Sequence, residues 1–328
     1  MKVLVWHVHG SWMTSFVQGA DEYLIPVDAG RGPDGRGRAR TWDWPARARE
    51  VPVDRLRDEQ VDVVVLQRPH EIDLLRRWTG LRAGTDVPAV YVEHNTPAGP
   101  AVATRHPLAD RGDVPVVHVT AFNALVWDNG AAPVVVVEHG VPDPGYLYTG
   151  ERARVAAVVN EPVRRWRVAG TDVLLGVAGR VPVEAYGMGM ADLRAAADGA
   201  AGLDGERSLD GHLHEDVRQD ELHPRLAQAR AYLHPYRWTS LGLSLVEAMT
   251  VGMPVLALAT TAAPEAVPPQ AGVVSADPDR LVRAARRWLA DPAEARERGA
   301  AARAHALQHF GLSRFLSDWS SVLKEVSR

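Results

Sequence analysis

The chain has 328 residues, 46% of them hydrophobic, and carries a formal net charge of −4 at pH 7. This length predicts two domains of an ordinary globular protein, and the small negative charge gives no indication of a nucleic-acid partner. Because the chain has no cysteine, disulfide bonds and thiolate metal ligands are excluded.

The N-terminal segment MKVLVWHVHG predicts a strand and not a signal peptide, since its apolar run is short and polar residues follow. No stretch of the sequence approaches the roughly 20 apolar residues that span a membrane. We therefore expect a cytoplasmic protein without a transmembrane segment. Weak association with a membrane surface is compatible with the sequence.

Strands and helices alternate in the first 150 residues. Short β-branched runs are typical of strands that are buried on both faces of a parallel sheet. The predicted strands are residues 2–8, 23–27, 61–66, 89–93, 114–120 and 133–138. Helices are predicted at residues 71–81 and 122–129. The Gly-, Arg- and Pro-rich residues 28–57 predict a long loop, and residues 142–145 a hinge.

The second half repeats the alternation. Its predicted strands are residues 155–159, 183–186, 208–211, 231–234, 255–259 and 272–274, and its long predicted helices are residues 279–290 and 312–326. The last helix carries four bulky apolar residues on one stripe, namely Phe315, Trp319, Val322 and Leu323. Two α/β domains that face each other across a cleft are the expected architecture.

Residues 231–259 carry the strongest signal in the chain. They predict a strand, a turn, a helix that starts near Leu241 with Thr239 and Ser240 as N-caps, and a second strand after Gly252. Such a unit places a helix N-terminus at the carboxyl edge of a parallel sheet. The free amides of that helix end favour a phosphate group.

Glu247 lies two turns into the same predicted helix, on the face of Leu243. A helix with amides at its start and a carboxylate two turns later can hold both the diphosphate and the ribose of a nucleotide. The ordinary alternative for a helical glutamate is a solvated surface charge.

This segment resembles the donor-binding motif of retaining glycosyltransferases of family 4, which have the GT-B fold and use nucleotide sugars. The family pattern is Pro-Ser-x-x-Glu-x-Phe-Gly-Leu, three more residues, Glu-Ala-Met-Ala and then Gly-x-Pro-Val. The matching residues here are His234-Pro235, Thr239-Ser240-Leu241-Gly242-Leu243, Glu247-Ala248-Met249-Thr250 and Gly252-Met253-Pro254-Val255. Weaker likenesses lie at residues 139–143, 263–267, 271–274, 291–292 and 309–319.

The resemblance implies a GT-B fold of class α/β, with two Rossmann-like parallel-sheet domains that face each other across a cleft. Residues 1–150 would form the acceptor-side domain and residues 151–308 the donor domain, while residues 309–328 would form a last helix that crosses back to the first domain. It also implies metal-independent sugar transfer, with retention of configuration, to a small-molecule or glycan acceptor. The co-substrate would be a UDP- or GDP-sugar, without a further cofactor.

For the donor, the resemblance implies that the amides of Ser240, Leu241, Gly242 and Leu243 bind the diphosphate, that Glu247 binds the ribose and that Thr239 lies beside the sugar. The leaving phosphate oxygen would take the acceptor's proton, as is proposed for the family. His212 and Leu213 occupy the position of the family's base-binding loop, where the backbone would contact the base. The sequence does not distinguish uracil from other bases.

Residues 161–172 resemble a second family tract, Gly-Arg-Leu, three residues and Lys-Gly-x-Asp. Alignment on Gly170 and Asp172 places Arg164 on the family's arginine and Ala169 on its lysine. Arg165 or Arg167 would then replace the lysine, because a guanidinium binds phosphate oxygens in pairs. The alternative is that these arginines lie on a solvated loop. The chain has lysine only at positions 2 and 324, and its wealth of Ala, Arg, Gly and Val is typical of GC-rich coding, as in actinobacteria.

In the first domain, Gly10 and Ser11 replace the family's Gly-Gly loop and would approach the donor phosphate. His94 and His70 lie where the family has its first-domain histidines. Each would be either an active-site residue or a structural histidine. His7 and His9 point to the same face of the predicted strand and so could be metal ligands. Because no third ligand is spaced nearby, we do not expect a metal site here. Trp42 and Trp44 would either stack on an acceptor or, more ordinarily, anchor their loop to the core.

The main departure from the family pattern is Thr239, which stands where relatives have a glutamate that contacts the donor sugar. With Ala169, it motivates an alternative function, a catalytically impaired nucleotide-binding partner or regulator. A third alternative is another GT-B enzyme, such as a nucleotide-sugar epimerase. A nicotinamide dehydrogenase is not favoured, because no Gly-x-Gly-x-x-Gly follows the first strand.

Overall fold

The computed structural model of the chain describes residues 1–40, 42–198, 209 and 211–328. It divides into two compact units, here named unit 1 (Met1–Pro142 with Leu312–Arg328) and unit 2 (Asp143–Gly311). The division falls inside the segment that the sequence predicts as a hinge. Residues 143–150 cluster with unit 2 because their amides donate to its backbone, for example Tyr148 N to Val251 O at 3.1 Å.

Unit 1 contains a seven-stranded parallel sheet with strand order β3-β2-β1-β4-β5-β6-β7. Most of its central side chains are apolar and buried, as the β-branched runs predict. The strands are β1 (Lys2–Val5), β2 (Glu22–Val27), β3 (Ala48–Pro52), β4 (Val63–Leu66), β5 (Ala89–Glu93), β6 (Val116–His118) and β7 (Val134–Val136). Its first helices are α1 (Gly10–Phe16), α2 (Glu71–Thr79) and α3 (Ala121–Val126), and a short 3₁₀ turn covers Leu56–Asp58.

Two elements of unit 1 depart from the sequence prediction. The predicted loop at residues 28–57 contains β3, whose alternation is obscured because the strand lies at the edge of the sheet and carries charge. Arg49 of β3 donates to Glu22 at 2.6 Å and to Glu59 at 2.9 Å. The first predicted strand, residues 2–8, ends early at Val5, and α1 follows it after a short turn.

Unit 2 contains a six-stranded parallel sheet with strand order β10-β9-β8-β11-β12-β13. The strands are β8 (Arg152–Val158), β9 (Val183–Gly187), β10 (Leu213–Glu215), β11 (Ala229–His234), β12 (Val255–Leu258) and β13 (Gly272–Ser275). The helices are α4 (Pro162–Ala169), α5 (Thr171–Ala178), α6 (Met190–Asp198), α7 (Gln219–Leu226), α8 (Leu243–Thr250), α9 (Ala263–Ala266), α10 (Pro278–Ala290) and α11 (Pro292–His309). Two of the four residues of the predicted strand 208–211, Ser208 and Asp210, fall outside the described residues.

The start of α8 corrects one prediction. The helix begins at Leu243 with Gly242 as its N-cap, and no side chain caps it, so Thr239 and Ser240 are not its caps. The reason is a close approach: a Cβ on Gly242 would lie 2.5 Å from Cε1 of His234. The turn after β11 therefore continues over the His234 ring before the helix can start.

The sequence also failed to indicate α11. Its buried stripe consists of Ala295, Gly299, Ala302 and Ala306, small residues that give little apolar signal. A Cβ on Gly299 would lie 2.1 Å from the carbonyl oxygen of Gly252, so the small residues allow α11 to approach the end of α8 closely. Among the described residues, no helix combines the length and apolar character needed to cross a bilayer.

The C-terminal helix, α12 (Leu312–Val326), belongs to unit 1. The four residues of its predicted stripe are all buried, which confirms the predicted face. Trp319 makes edge-to-face contacts with Trp12 and Phe16 of α1, at centroid distances of 5.5 and 5.1 Å. Such aromatic contacts add to the free energy gained from burying the rings.

We expect Trp319→Ala to destabilise unit 1 by about 3–5 kcal/mol, because it leaves a cavity within the aromatic cluster. Ser321→Ala on the exposed side of the same helix should change stability by less than about 0.5 kcal/mol. Calorimetric unfolding of the three proteins checks this. Equal transitions for Trp319→Ala and the unsubstituted chain would contradict the packing described here.

Candidate active site

Parallel strands end at a common edge, as the six strands of unit 2 do. The segments that follow β8, β9, β11 and β12 therefore lie close together, as residues 159–161, 188–189, 235–242 and 259–262. Hydrogen bonds join them: Asn160 N donates to Tyr236 Oη at 3.4 Å, and Ala262 N donates to Ser240 O at 3.3 Å. This edge is the position at which open α/β sheets bind ligands.

Glu247 of α8 is buried, with 10% of its side chain exposed. Gln219 Nε2 on α7 donates to Glu247 Oε1 at 3.0 Å, and His223 Nε2 lies 3.6 Å from Oε2. Gln219 Nε2 also lies 3.0 Å from His223 Nε2. Glu247 is thus not a solvated surface charge, because α7 holds its carboxylate in one position.

Gln219 and His223 were not indicated by the sequence. They are four residues apart and so share one face of a helix, but that spacing is common and identifies no function by itself. Only their contact with Glu247 shows that they belong to the site.

The turn after β11 rests on His234, which is 2% exposed. Burial lowers the pKa of His234 to about 3, so its ring is neutral near pH 7. Tyr236 lies against the same ring at a centroid distance of 4.9 Å. Above this support, Leu245 N donates to Gly242 O at 3.0 Å, whereas the amides of Leu243 and Ser244 precede the first intrahelical acceptor and are open to a ligand.

The predicted arginine tract is helical, not a loop, although Trp166 departs from helical dihedral angles. Arg164 is 68% exposed and forms an ion pair with Glu161. Arg167 is 70% exposed and pairs with Asp172 at 2.9 Å. Arg165 is half-buried, and its guanidinium carbon lies 5.5 Å from the centroid of the Tyr236 ring. Of the three, Arg165 is directed at the turn after β11.

Ala169, at the position of the family's lysine, is completely buried. The next residue, Gly170, has φ of 70°, and a Cβ there would lie 1.7 Å from the carbonyl oxygen of Pro235. The junction of α4 and α5 thus contacts the turn after β11 directly. A lysine at residue 169 would have to pass its side chain through packed core atoms.

The remaining donor-side predictions have mixed placements. Ser240 and Leu241 are buried, whereas Thr239, Gly242 and Leu243 are half-buried in the turn and at the start of α8.

His212 and Leu213 lie at the start of the edge strand β10, not after its carboxyl end. His212 N donates to Leu209 O at 3.0 Å, and Ala185 N donates to His212 O at 2.9 Å. The sequence predicts that the backbone of His212 contacts the base. Because both of its backbone groups already have partners, His212 is poorly suited to that role.

In unit 1, three histidines cluster near the carboxyl end of the sheet. The rings of His9 and His94 lie 4.1 Å apart, and His94 Nε2 is 2.9 Å from Gln67 Oε1. Burial lowers the pKa of His9 and of His139 to about 4. Burial also holds the pKa of His94 well below its usual value. These are neutral imidazoles near pH 7, able to donate or accept hydrogen bonds.

His70, the other predicted first-domain histidine, is 51% exposed and lies 2.9 Å from Asp34 Oδ1. It does not join the histidine cluster. Gly10 and Ser11 open the short helix α1, and a Cβ on Gly10 would lie 2.1 Å from the Trp42 ring. Trp42 therefore covers Gly10 closely, which restricts any approach of that backbone to a ligand.

Trp44 is buried, and its Nε1 donates to Thr14 at 3.0 Å, so it anchors its loop to the core. His7 is engaged with Gly37 O at 2.9 Å and does not share a cluster with His9. Within the described part of the chain, no group of three or more His, Asp or Glu side chains has a geometry that could hold a metal ion.

The sequence of residues 211–305 matches the family model Glycosyl transferases group 1. The match covers less than a third of the chain. The match includes α7, the turn after β11 and α8, and therefore contains Glu247 and its two partners. The predicted class of enzyme, a glycosyltransferase, is confirmed at this level. A search of curated protein sequences finds no significant match.

Solved structures resemble the chain over nearly its whole length. Sucrose-phosphate synthase from Thermosynechococcus elongatus has a TM-score of 0.72 at 14% identity and covers 99% of both chains. HepE from Anabaena in complex with UDP-glucose has a TM-score of 0.71 at 14% identity, over 99% of this chain and 100% of that one. A glycosyltransferase from Rickettsia africae has a TM-score of 0.67 at 13% identity, over 99% of this chain and 98% of that one. The predicted GT-B class, with two Rossmann-like parallel-sheet domains, is confirmed.

The buried histidines of the chain predict a loss of stability in acid. A pKa lowered in the folded state means that the unfolded chain binds the proton first as the pH falls below about 6.5. For His139 and His234 this amounts to about 2 kcal/mol each at pH 5. Urea unfolding at pH 7, 6 and 5 should therefore show a falling free energy of unfolding.

The control is His234→Asn, which removes one titrating ring. Its free energy of unfolding should fall less steeply between pH 7 and pH 5 than that of the unsubstituted protein. Parallel pH profiles would mean that His234 is not held neutral by burial.

Proposed function

We propose that the protein is a retaining, metal-independent glycosyltransferase of family 4, which transfers a sugar from a nucleotide-sugar donor to an acceptor. One observation carries the proposal: Glu247 is buried and held by α7, about one turn after the start of a helix at the carboxyl edge of the sheet. The match of residues 211–305 to the group 1 family supports it. So do the structural neighbours that were solved with UDP or UDP-glucose.

In this proposal, Glu247 accepts hydrogen bonds from the ribose hydroxyls. Its carboxylate is already oriented by Gln219, so little side-chain freedom is lost when the nucleotide binds. The amides at the start of α8 donate to the diphosphate. Both groups lie on one short helix, which fixes the distance between the ribose site and the phosphate site.

Arg165 supplies the cation for the diphosphate, with Arg164 as the alternative that the sequence favours. Arg165 lies over Tyr236 and has no carboxylate partner among the described residues, whereas Arg164 is bound to Glu161. A phosphate that recruited Arg164 would have to break that ion pair. Arg167 has a partner as well, in Asp172.

Cleavage of the sugar–diphosphate bond builds negative charge on the leaving group and positive character on the sugar. Preorganised amides and a guanidinium stabilise that negative charge electrostatically. The departing phosphate oxygen can then accept the acceptor's proton on the same face as it leaves, which gives retention of configuration.

For the acceptor, the neutral imidazoles of His94 and His9 in unit 1 offer hydrogen bonds to hydroxyl groups. Gln67 fixes the His94 ring and is itself held by Trp6 O at 2.7 Å. This chemistry fits a polyhydroxylated small molecule or glycan. We further propose a bacterial, cytoplasmic protein, in keeping with the composition of the chain.

A second function is favoured by one feature, the absence of a carboxylate at residue 239. Thr239 cannot supply the negative charge that relatives place beside the donor sugar. The alternative is a protein that binds nucleotide without turnover and acts as a partner or regulator.

The first prediction concerns Glu247→Ala, which should weaken the binding of the preferred nucleoside diphosphate by about 10- to 100-fold. That range corresponds to the loss of one or two hydrogen bonds to a charged group. Calorimetric titration with UDP, GDP and dTDP provides the measurement. Glu297→Ala, an exposed glutamate of α11, is the control and should bind as the unsubstituted protein does. Unchanged affinity in Glu247→Ala would refute the donor site.

Hydrolysis of the matching nucleotide sugar in the absence of acceptor separates the two functions. Slow release of the nucleotide from its sugar supports the transferase. Tight binding without release from any donor supports the regulatory alternative.

The second prediction compares Arg165→Gln with Arg164→Gln. Because Arg165 is directed at the turn after β11, its loss should weaken UDP binding about tenfold while leaving uridine binding unchanged. Arg164→Gln should have a clearly smaller effect. The reverse order would show that the Arg164–Glu161 pair opens and that Arg164 holds the phosphates.

A further inference from the structure

A groove of about 720 Å³ lies in unit 2 beside the edge strand β13. One wall is the strand itself, and the other is formed by α10 and α11. Four arginines line it, Arg280, Arg283, Arg287 and Arg298, and none of the described residues that line it is acidic. The proposed nucleotide site does not use any of these residues.

The arginines form an ordered set. Arg280, Arg283 and Arg287 follow each other at intervals of three and four residues along α10 and therefore share one face of the helix. At 1.5 Å per residue, the first and last are separated by roughly 10 Å along the helix axis. Arg298 is added from α11, where its guanidinium carbon lies 5.5 Å from the centroid of the Trp288 ring.

The carboxylates near the groove neutralise only part of this charge. Glu294 binds both Arg287 and Arg298, at 2.7 and 2.8 Å. These contacts, of which the hydrogen bond from Arg287 has the largest effect, lower the pKa of Glu294 to about 2. Asp277 lies 3.4 Å from Arg283. Arg280 forms no ion pair with any described residue. Two positive charges are thus left without a compensating carboxylate.

The strand wall adds hydrogen-bonding groups. The carbonyls of Ala271 and Ser275 accept from β12, from Val255 N at 3.2 Å and Ala259 N at 3.1 Å. Because backbone groups alternate along a strand, those of Gly272 and Val274 point away from β12. The free edge of β13 therefore presents both amides and carbonyls, and the guanidinium groups come from α10 and α11 on the other wall.

We infer that this groove binds a small molecule that carries two or more phosphate groups, at a site separate from the nucleotide site. Guanidinium groups bind phosphate oxygens in pairs and keep their charge at any physiological pH. The volume suits a metabolite-sized ligand. A single phosphate could not reach both ends of the arginine row, whereas two phosphates on one small scaffold can.

The test is calorimetric titration with fructose 1,6-bisphosphate and with tripolyphosphate at low ionic strength. The double variant Arg280→Gln/Arg283→Gln removes two exposed arginines without touching those that hold Glu294. It should weaken binding of both probes at least about tenfold. The control is Arg286→Gln/Arg296→Gln, which removes the same charge from exposed residues outside the groove and should bind both probes normally.

A second pair of measurements separates this inference from the proposed function. The groove variant should keep its affinity for UDP, and Glu247→Ala should keep its affinity for the bisphosphate. Four results would overturn the inference: no binding of either probe, equal losses in the two double variants, displacement of the bisphosphate by UDP that Glu247→Ala abolishes, or binding of an acidic peptide in place of both probes. Failure of the nucleotide site alone would leave the groove result unaffected.

Discussion

The candidate site in unit 2 depends on two close contacts around the turn that follows β11. Gly170 lets the start of α5 approach the carbonyl of Pro235, and Gly242 lets the same turn lie on the His234 ring. Neither position has room for a Cβ, so both contacts restrict the residue type at their positions. Through these contacts α4 and α8 both pack against the same turn. Arg165 and the amides at the start of α8 therefore lie beside that turn.

A carboxylate buried beside this turn must be stabilised, because burial without partners costs several kcal/mol. Gln219 donates to Glu247, and His223 lies close to its other oxygen. His234, beneath the turn, is neutral and adds no charge of its own. The site is therefore preorganised before any ligand arrives, which is the condition under which electrostatic stabilisation is most effective.

The sequence predicted those parts of the structure that combine several local signals. In residues 231–259, strand, glycine, proline and helix signals agree, and Glu247 was found there. Where burial follows from tertiary contact alone, prediction failed: β3 is an edge strand with charged residues, and the buried stripe of α11 is made of alanine and glycine. The arginine tract shows the same limit, since the spacing favours Arg164 but only the contacts of Tyr236 distinguish Arg165.

The two departures from the family pattern, Ala169 and Thr239, differ in what they mean for the proposed function. Ala169 follows from packing: the contact of Gly170 with Pro235 leaves residue 169 in the core, and α4 offers arginines instead. An arginine is always charged and binds phosphate at least as well as lysine does, so the proposed donor site does not need a lysine at residue 169. Thr239 has no such replacement among the contacts described, because Glu247 is already committed to α7. The question of catalysis therefore concerns the sugar and not the nucleotide, and an inactive relative would bind the same nucleotide with the same residues.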